Sequence, residues 1–189
     1  MIAYKGVNPD GTNRLGKGTI LFEVGKTYTE ERSKTVAAGF HCCENPFKCL
    51  SYYNLGKDRF FKVDARGDID EDENERVACT EIEILKELTV KELILAGLSY
   101  MVSHQKREGW ELSVGRDVKI AKDVASAQLA AIARGKNPTA SAGEGGYIAL
   151  VGEDTNGYIW AVRMKKIDGK TYKPGIMYKL SFAGEVVPA

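Results

Sequence analysis

The chain has no apolar run near the roughly 18 residues that a membrane-spanning helix needs. Its first residues, Met1-Ile2-Ala3-Tyr4-Lys5, lack the basic-then-apolar layout of a signal peptide. It has almost no net charge: a formal +1 gives no global electrostatic drive toward nucleic acid or an anionic membrane. No C-x2-C pair is present, which argues against a zinc knuckle. No phosphate loop precedes a helix, so the glycines of Gly143-Glu144-Gly145-Gly146 read as a tight turn. His41 adjoins Cys42, but neighbouring strand residues point to opposite faces, so adjacency does not make a catalytic pair. These absences predict a soluble, cytoplasmic protein with reduced thiols, no metal and no cofactor.

What is present is concentrated in Gly39-Phe40-His41-Cys42-Cys43-Glu44-Asn45-Pro46-Phe47-Lys48-Cys49-Leu50-Ser51-Tyr52-Tyr53. One of two histidines, three of four cysteines and two of nine tyrosines fall there. Surface loops do not concentrate such residues, so the segment is a tight core element or a site. Phe40, His41, Tyr52 and Tyr53 are its candidate binding residues, and the thiols of Cys42, Cys43, Cys49 and Cys79 read as small buried apolar groups.

At 189 residues, with 43% hydrophobic and 28% charged, the chain suits one full globular domain or two small ones. Strands are expected at Ile2 to Val7, ended by the Asn8-Pro9-Asp10-Gly11 turn, and at Thr19 to Val24. Asn45-Pro46 caps a short helix reaching Tyr53. Arg59 to Ala65 and Val77 to Ile84 alternate with the strand period. The run Asp68-Ile69-Asp70-Glu71-Asp72-Glu73-Asn74-Glu75 carries six carboxylates in eight residues and reads as a solvated hairpin loop. It lacks the central glycine and distal glutamate of a calcium loop.

Thr89-Val90-Lys91-Glu92 is a capping box, predicting a helix from about 90 to 105. His104 reads as a polar residue at that helix's end. Residues 110–145 are ambiguous, and over 118–134 two readings stand, helix or β-roll. Ala-rich composition favours a helix, whereas the recurring steps Val118-Lys119-Ile120-Ala121, Ala125-Ser126-Ala127, Ala131-Ile132-Ala133 and Thr139-Ala140-Ser141-Ala142 suit a β-roll. Tyr147 to Val151 and Tyr158 to Met164 flank Asn156-Gly157, a hairpin signal, and Met177 to Leu180 makes a final strand. The expected architecture is α+β. A mixed sheet with one or two helices over residues 1–108 is followed, over 109–189, by a short β-roll-like repeat and an antiparallel meander.

Tyr4-Lys5-Gly6, Phe22-Glu23-Val24-Gly25-Lys26-Thr27-Tyr28, Gly39-Phe40-His41-Cys42-Cys43-Glu44-Asn45-Pro46 and Tyr52-Tyr53 resemble an uncharacterised domain family of phages and prophages. Cys79-Thr80-Glu81-Ile82 and Glu87 to Leu93 continue the likeness, and Gly145 to Leu150, Ile167 to Lys170 and Lys173 to Leu180 resemble that family's closing strand unit. The resemblance implies phage or prophage origin; together with the small size and the lack of a catalytic constellation, it leads to the expectation of a non-enzymatic accessory protein acting in a bacterial host cell. It would bind a host protein or ribonucleoprotein complex, such as a CRISPR-type defence system, without binding nucleic acid directly. Asp70, Glu71, Asp72 and Glu73 would face a basic partner surface, and Tyr52, Tyr53, Trp110 and Trp160 would anchor an interface. A short roll buries little by itself, so a homo-oligomer is expected.

Two alternatives remain. Tyr4-Lys5-Gly6, Gly39-Phe40-His41 and Glu81-Ile82-Glu83 also resemble ADP-ribosyltransferases, which implies an NAD-using enzyme with Glu83 stabilising an oxocarbenium-like ribose. The other alternative is a small-ligand or nucleotide-binding module.

Overall fold

The structure, a computed structural model, describes residues 1–14, 18–35, 37–72 and 76–189. The chain is mostly β, with few helical residues, and divides into two compact units, Met1–Gly97 and Leu98–Ala189.

The first unit is built from β1 (Ile2–Val7), β2 (Thr27–Thr29), β3 (Phe40–Cys43), β4 (Arg59–Glu71) and β5 (Arg76–Leu88). Every pairing among them is antiparallel. β1 lies between β3 and β4, and β5 pairs with both of these, so four strands close into a ring with β2 extending along β5. Closure leaves the ring without the free edges of an open sheet. Its interior holds Ala3, Val7, Phe40, Phe61, Ile82 and Ile84, with Cys42 and Cys79 as small fillers.

Asn45 caps the 3-10 turn Pro46–Ser51 by accepting a hydrogen bond from the Phe47 amide. The predicted capping box forms at Thr89 and Glu92, whose groups bond reciprocally at 2.9–3.3 Å, and opens α1 (Val90–Ser103). The hydrogen bond from Lys86 and those from Thr89 hold the Glu92 carboxyl down to about 2.

Three expectations for this unit need correction. Thr19 to Val24 is not a strand. Only Leu21 makes a bridge, to Thr12, while Phe22 turns into the core. The acidic run is not all loop, because Asp68–Glu71 are the end of β4, with Ile69, Asp70 and Glu71 paired to Cys79, Ala78 and Val77. A register shift just before this acidic end sets Gly67 and Asp68 of β4 against Thr80 alone. Parallel strands, finally, are absent from this sheet among the described residues and occur in the second unit.

There, β6 (Leu112–Val114), β7 (Val118–Ala127), β8 (Ala130–Ala142), β9 (Tyr147–Glu153), β10 (Ile159–Lys166), β11 (Tyr178–Leu180) and β12 (Val186–Pro188) form one mixed sheet. β7, β8 and β9 are parallel neighbours. Val118–Lys122 stack on Ala130–Arg134; then, past a register shift beside Asp123 at φ 61°, Val124–Ala127 stack on Thr139–Ala142. The recurring small-residue steps therefore lie over one another, and Ala125, Ala127, Ala131, Ala133, Ala140 and Ala142 share a core with Ile148 and Leu150. Helix propensity loses here because alanine also suits an interior too narrow for larger side chains. β9 and β10 form the predicted hairpin. β11 is not the last strand, since β12 pairs with it antiparallel.

Candidate functional site

A cavity of about 770 Å3 opens in the first unit. Its lining comes from β1 (Tyr4, Lys5, Gly6), from Phe22, from residues 29–32 and 37–38, from β3 with Gly39 before it, and from Cys49, Tyr52, Tyr53 and Arg76.

Two glycines make this packing possible. A Cβ at Gly6 would stand 2.2 Å from the Tyr53 ring, so the bare backbone of β1 is the surface on which that ring lies. Gly39 has φ +82°, and a Cβ there would stand 2.8 Å from the Cys79 carbonyl oxygen. The strand that carries His41 therefore starts from a turn that other residues enter only with strain.

Lys5 is the unusual element. Strand alternation puts it on the same face as Ala3 and Val7, which are wholly buried. Only 6% of Lys5 is exposed. Its Nζ donates to the His41 carbonyl oxygen at 2.8 Å and sits 4.6 Å from the centre of the Phe22 ring. No described carboxylate is within ion-pair distance. Burial pushes the Lys5 ammonium down from its ordinary value, and the four cysteines around it partly counter that. Burial also lowers His41, and the Lys5 charge adds to the effect.

All four cysteines are free and buried, as expected. They associate in pairs. The hydrogen bond with Cys79, then burial, pushes the Cys42 thiol well up, whereas the same bond and the Lys5 charge draw Cys79 down. The bond with Cys43, then burial, raises Cys49. Among the described residues no three His, Cys, Asp or Glu groups are arranged to hold a metal ion.

Residues 1–96 match the domain of unknown function DUF7666. The chain belongs to that family. No curated protein and no solved structure matches it. The DUF7666 match ends beside the boundary of the first unit.

Of the sequence candidates, the DUF7666 cavity gathers Phe40, His41, Tyr52 and Tyr53. The acidic candidates lie elsewhere. Asp70 accepts from the Thr35 amide and hydroxyl and from Lys34, which hold its carboxyl down to about 2. Asp72 pairs with Arg76. Glu71 is exposed at the end of β4, and Glu73 lies outside the described residues. Glu83, the residue singled out by the ADP-ribosyltransferase likeness, is ion-paired with Arg66 beside Glu81 and does not line the cavity.

In the second unit, Trp110 is half-buried under the Arg134 guanidinium at 5.1 Å. Trp160 is half exposed on β10, with its ring against Gly152. His104 stacks on Tyr100 with ring centroids 4.0 Å apart, so it is packed against α1 rather than standing free. Lys5 was not among the sequence candidates for binding. The signal that could have found it is a lysine occupying the apolar phase of a strand, between Ala3 and Val7.

Proposed function

We propose that the chain is a binding protein without catalytic turnover, of phage or prophage type, whose first unit takes a small molecule in the cavity around Lys5 and His41. The observation behind this reading is convergence. Tyr4-Lys5-Gly6 and two pieces of the distant Gly39–Tyr53 stretch, Gly39 to Cys43 and Tyr52-Tyr53, line one cavity. They are the segments that carry the family resemblance. A cavity of this size, with aromatic walls and few buried polar groups, has the make-up of a small-ligand site. The enzyme alternative is disfavoured because its carboxylate, Glu83, is neutralised by Arg66 away from the cavity. The phage setting and action on a host defence complex rest on the resemblance alone. The parallel stack of β7, β8 and β9 fits a short roll that serves as the scaffold of the second unit.

Equilibrium dialysis of the purified protein against a bacterial small-molecule extract tests the reading, with bound compounds identified by mass spectrometry. Ala37 is exposed on the cavity lining, so Ala37→Trp fills the space without touching the core. At least one compound is expected to be enriched by the native chain and reduced tenfold or more by Ala37→Trp. No enrichment, or enrichment indifferent to the substitution, would overturn the assignment.

A second reading has its own observation. β10 ends the sheet order and presents Trp160 at 50% exposure, next to Tyr158 at 53%. A rigid aromatic on an unpaired strand edge is the kind of anchor that protein partners bury. A host protein, or a second copy of the chain, would add to this edge. Trp160→Ala is then expected to weaken that association by a factor of about 30, the scale of a hot-spot loss of roughly 2 kcal/mol. Light scattering and pull-down from host lysate would read the effect. A native chain that stays monomeric and retains no partner removes this second reading.

A further inference from the structure

Two basic side chains fall in the buried class among the described residues, Lys5 and Arg134. Arg134 has a carboxylate, Glu153, at 2.6 Å. Lys5 has none. Its surroundings are a backbone carbonyl, the face of Phe22 and thiols. An ammonium taken out of water without a counter-charge tends to give up its proton, and the resulting amine carries a free lone pair. Such desolvated lysines are the ones that react with carbonyl groups. Lys5 also lines a space large enough for a small ligand, and the bond to the His41 carbonyl fixes where its nitrogen points.

We propose that the cavity captures aldehydes by forming an imine on Lys5 Nζ. This ligand class rests on the reading of the cavity as a small-molecule site. The nitrogen lone pair forms the N–C bond to the carbonyl carbon, and the C=O π pair moves to oxygen. Oxygen takes up a proton and nitrogen releases one, giving a carbinolamine. Its C–O bond then breaks, the hydroxyl leaves with a proton as water, the nitrogen lone pair closes the C=N bond, and the nitrogen gives up its remaining proton to leave the neutral imine. Amine and aldehyde thus give imine and water, with no oxidant or reductant. Phe22, Phe40 and Tyr53 in the lining suit a flat, unsaturated body behind the aldehyde. The nearby thiols would give only hemithioacetals, which revert on dilution.

The test uses the full chain with 4-hydroxybenzaldehyde as the probe, followed by sodium borohydride and peptide mass mapping. Borohydride fixes an imine as a secondary amine and leaves no stable mark on a thiol. At pH 7 Lys5 is expected to be labelled at least tenfold faster than the median exposed lysine. Exposed lysines serve as internal controls, because their reactive fraction rises about tenfold per pH unit between pH 7 and 9. Lys5 labelling should rise less steeply than that.

Lys5→Met should abolish the fast adduct. It removes a buried amine and keeps a similar volume, so the variant remains folded and the loss is interpretable. Labelling confined to exposed lysines, or Lys5 labelling with the slow rate and steep pH dependence of the controls, overturns the proposal. If a compound from the dialysis experiment still binds in an Ala37→Trp-sensitive way while Lys5 stays unlabelled, the aldehyde class falls and the small-molecule site stands. If neither is seen, both fall.

Discussion

Lys5→Met is expected to make the first unit more stable at neutral pH, by roughly 1–4 kcal/mol if it follows the range seen when buried ion pairs are exchanged for hydrophobes. The native lysine has one hydrogen bond and no carboxylate partner, so nothing offsets the desolvation of its charged form. The pH dependence carries the stronger signature. Its folded value is pushed down by burial, whereas in the unfolded chain it is ordinary, about 10.4.

Between those two values the unfolded chain binds the proton and the folded chain does not, so stability rises with pH across that window. Below the depressed value the penalty is complete; above about 10.4 it is gone. The advantage of Lys5→Met should therefore be largest at neutral and low pH and shrink as pH rises toward 10.4. Cys79 and His41 also respond to the Lys5 charge, so the pair of denaturant titrations should be repeated in a Cys79→Ala background. A variant no more stable than the native chain, or an advantage that does not change with pH, would sink the argument.

Glu153→Ala is expected to destabilise the second unit by about 3–5 kcal/mol, the usual cost of leaving a buried charge without its partner. The Arg134 side chain is 4% exposed and that of Glu153 17%. After the substitution the guanidinium would keep the Gln105 carbonyl and the Trp110 ring, neither of which carries charge. The double variant Arg134→Met with Glu153→Leu should recover most of the loss, because it removes both charges. Urea titration followed by circular dichroism distinguishes the cases. A single variant within 1 kcal/mol of native, or a double variant less stable than the single, would show that the Arg134–Glu153 pair does not hold the second unit together in this way.

Much of the fold was legible where side-chain period and packing agree. β1, β5, the β9–β10 hairpin and α1 follow from alternation, Asn-Gly and the Thr89–Glu92 box. Legibility failed where long-range partners decided. Thr19 to Val24 looks like a strand locally, but Phe22 is committed to the core of the ring, with its ring edge-on to Tyr28 and Phe40. Asp68–Glu71 look unpackable, yet a strand end need not be packed: Asp68, Ile69 and Glu71 stay exposed, and Ser33, Lys34 and Thr35 meet the carboxylates of Asp68 and Asp70. The alanine-rich stretch favoured a helix on propensity and became strand because its steps stack. As for the site, aromatic and histidine residues drew attention by clustering in sequence, while Lys5 was masked by the habit of assigning lysine to a strand's wet side.

The closed ring of the first unit has a consequence for synthesis. β1 pairs with β3 at Cys43 on one side and with residues 59–64 on the other, and the circle is completed through residues 76–88. A ribosome must therefore deliver about half the chain before the ring can close. Until then Lys5 is an ordinary wet ammonium and the thiols are open to solvent. The chemistry of this pocket is acquired late and all at once, when the last strand zips shut, and a chain truncated before residue 88 should carry none of it.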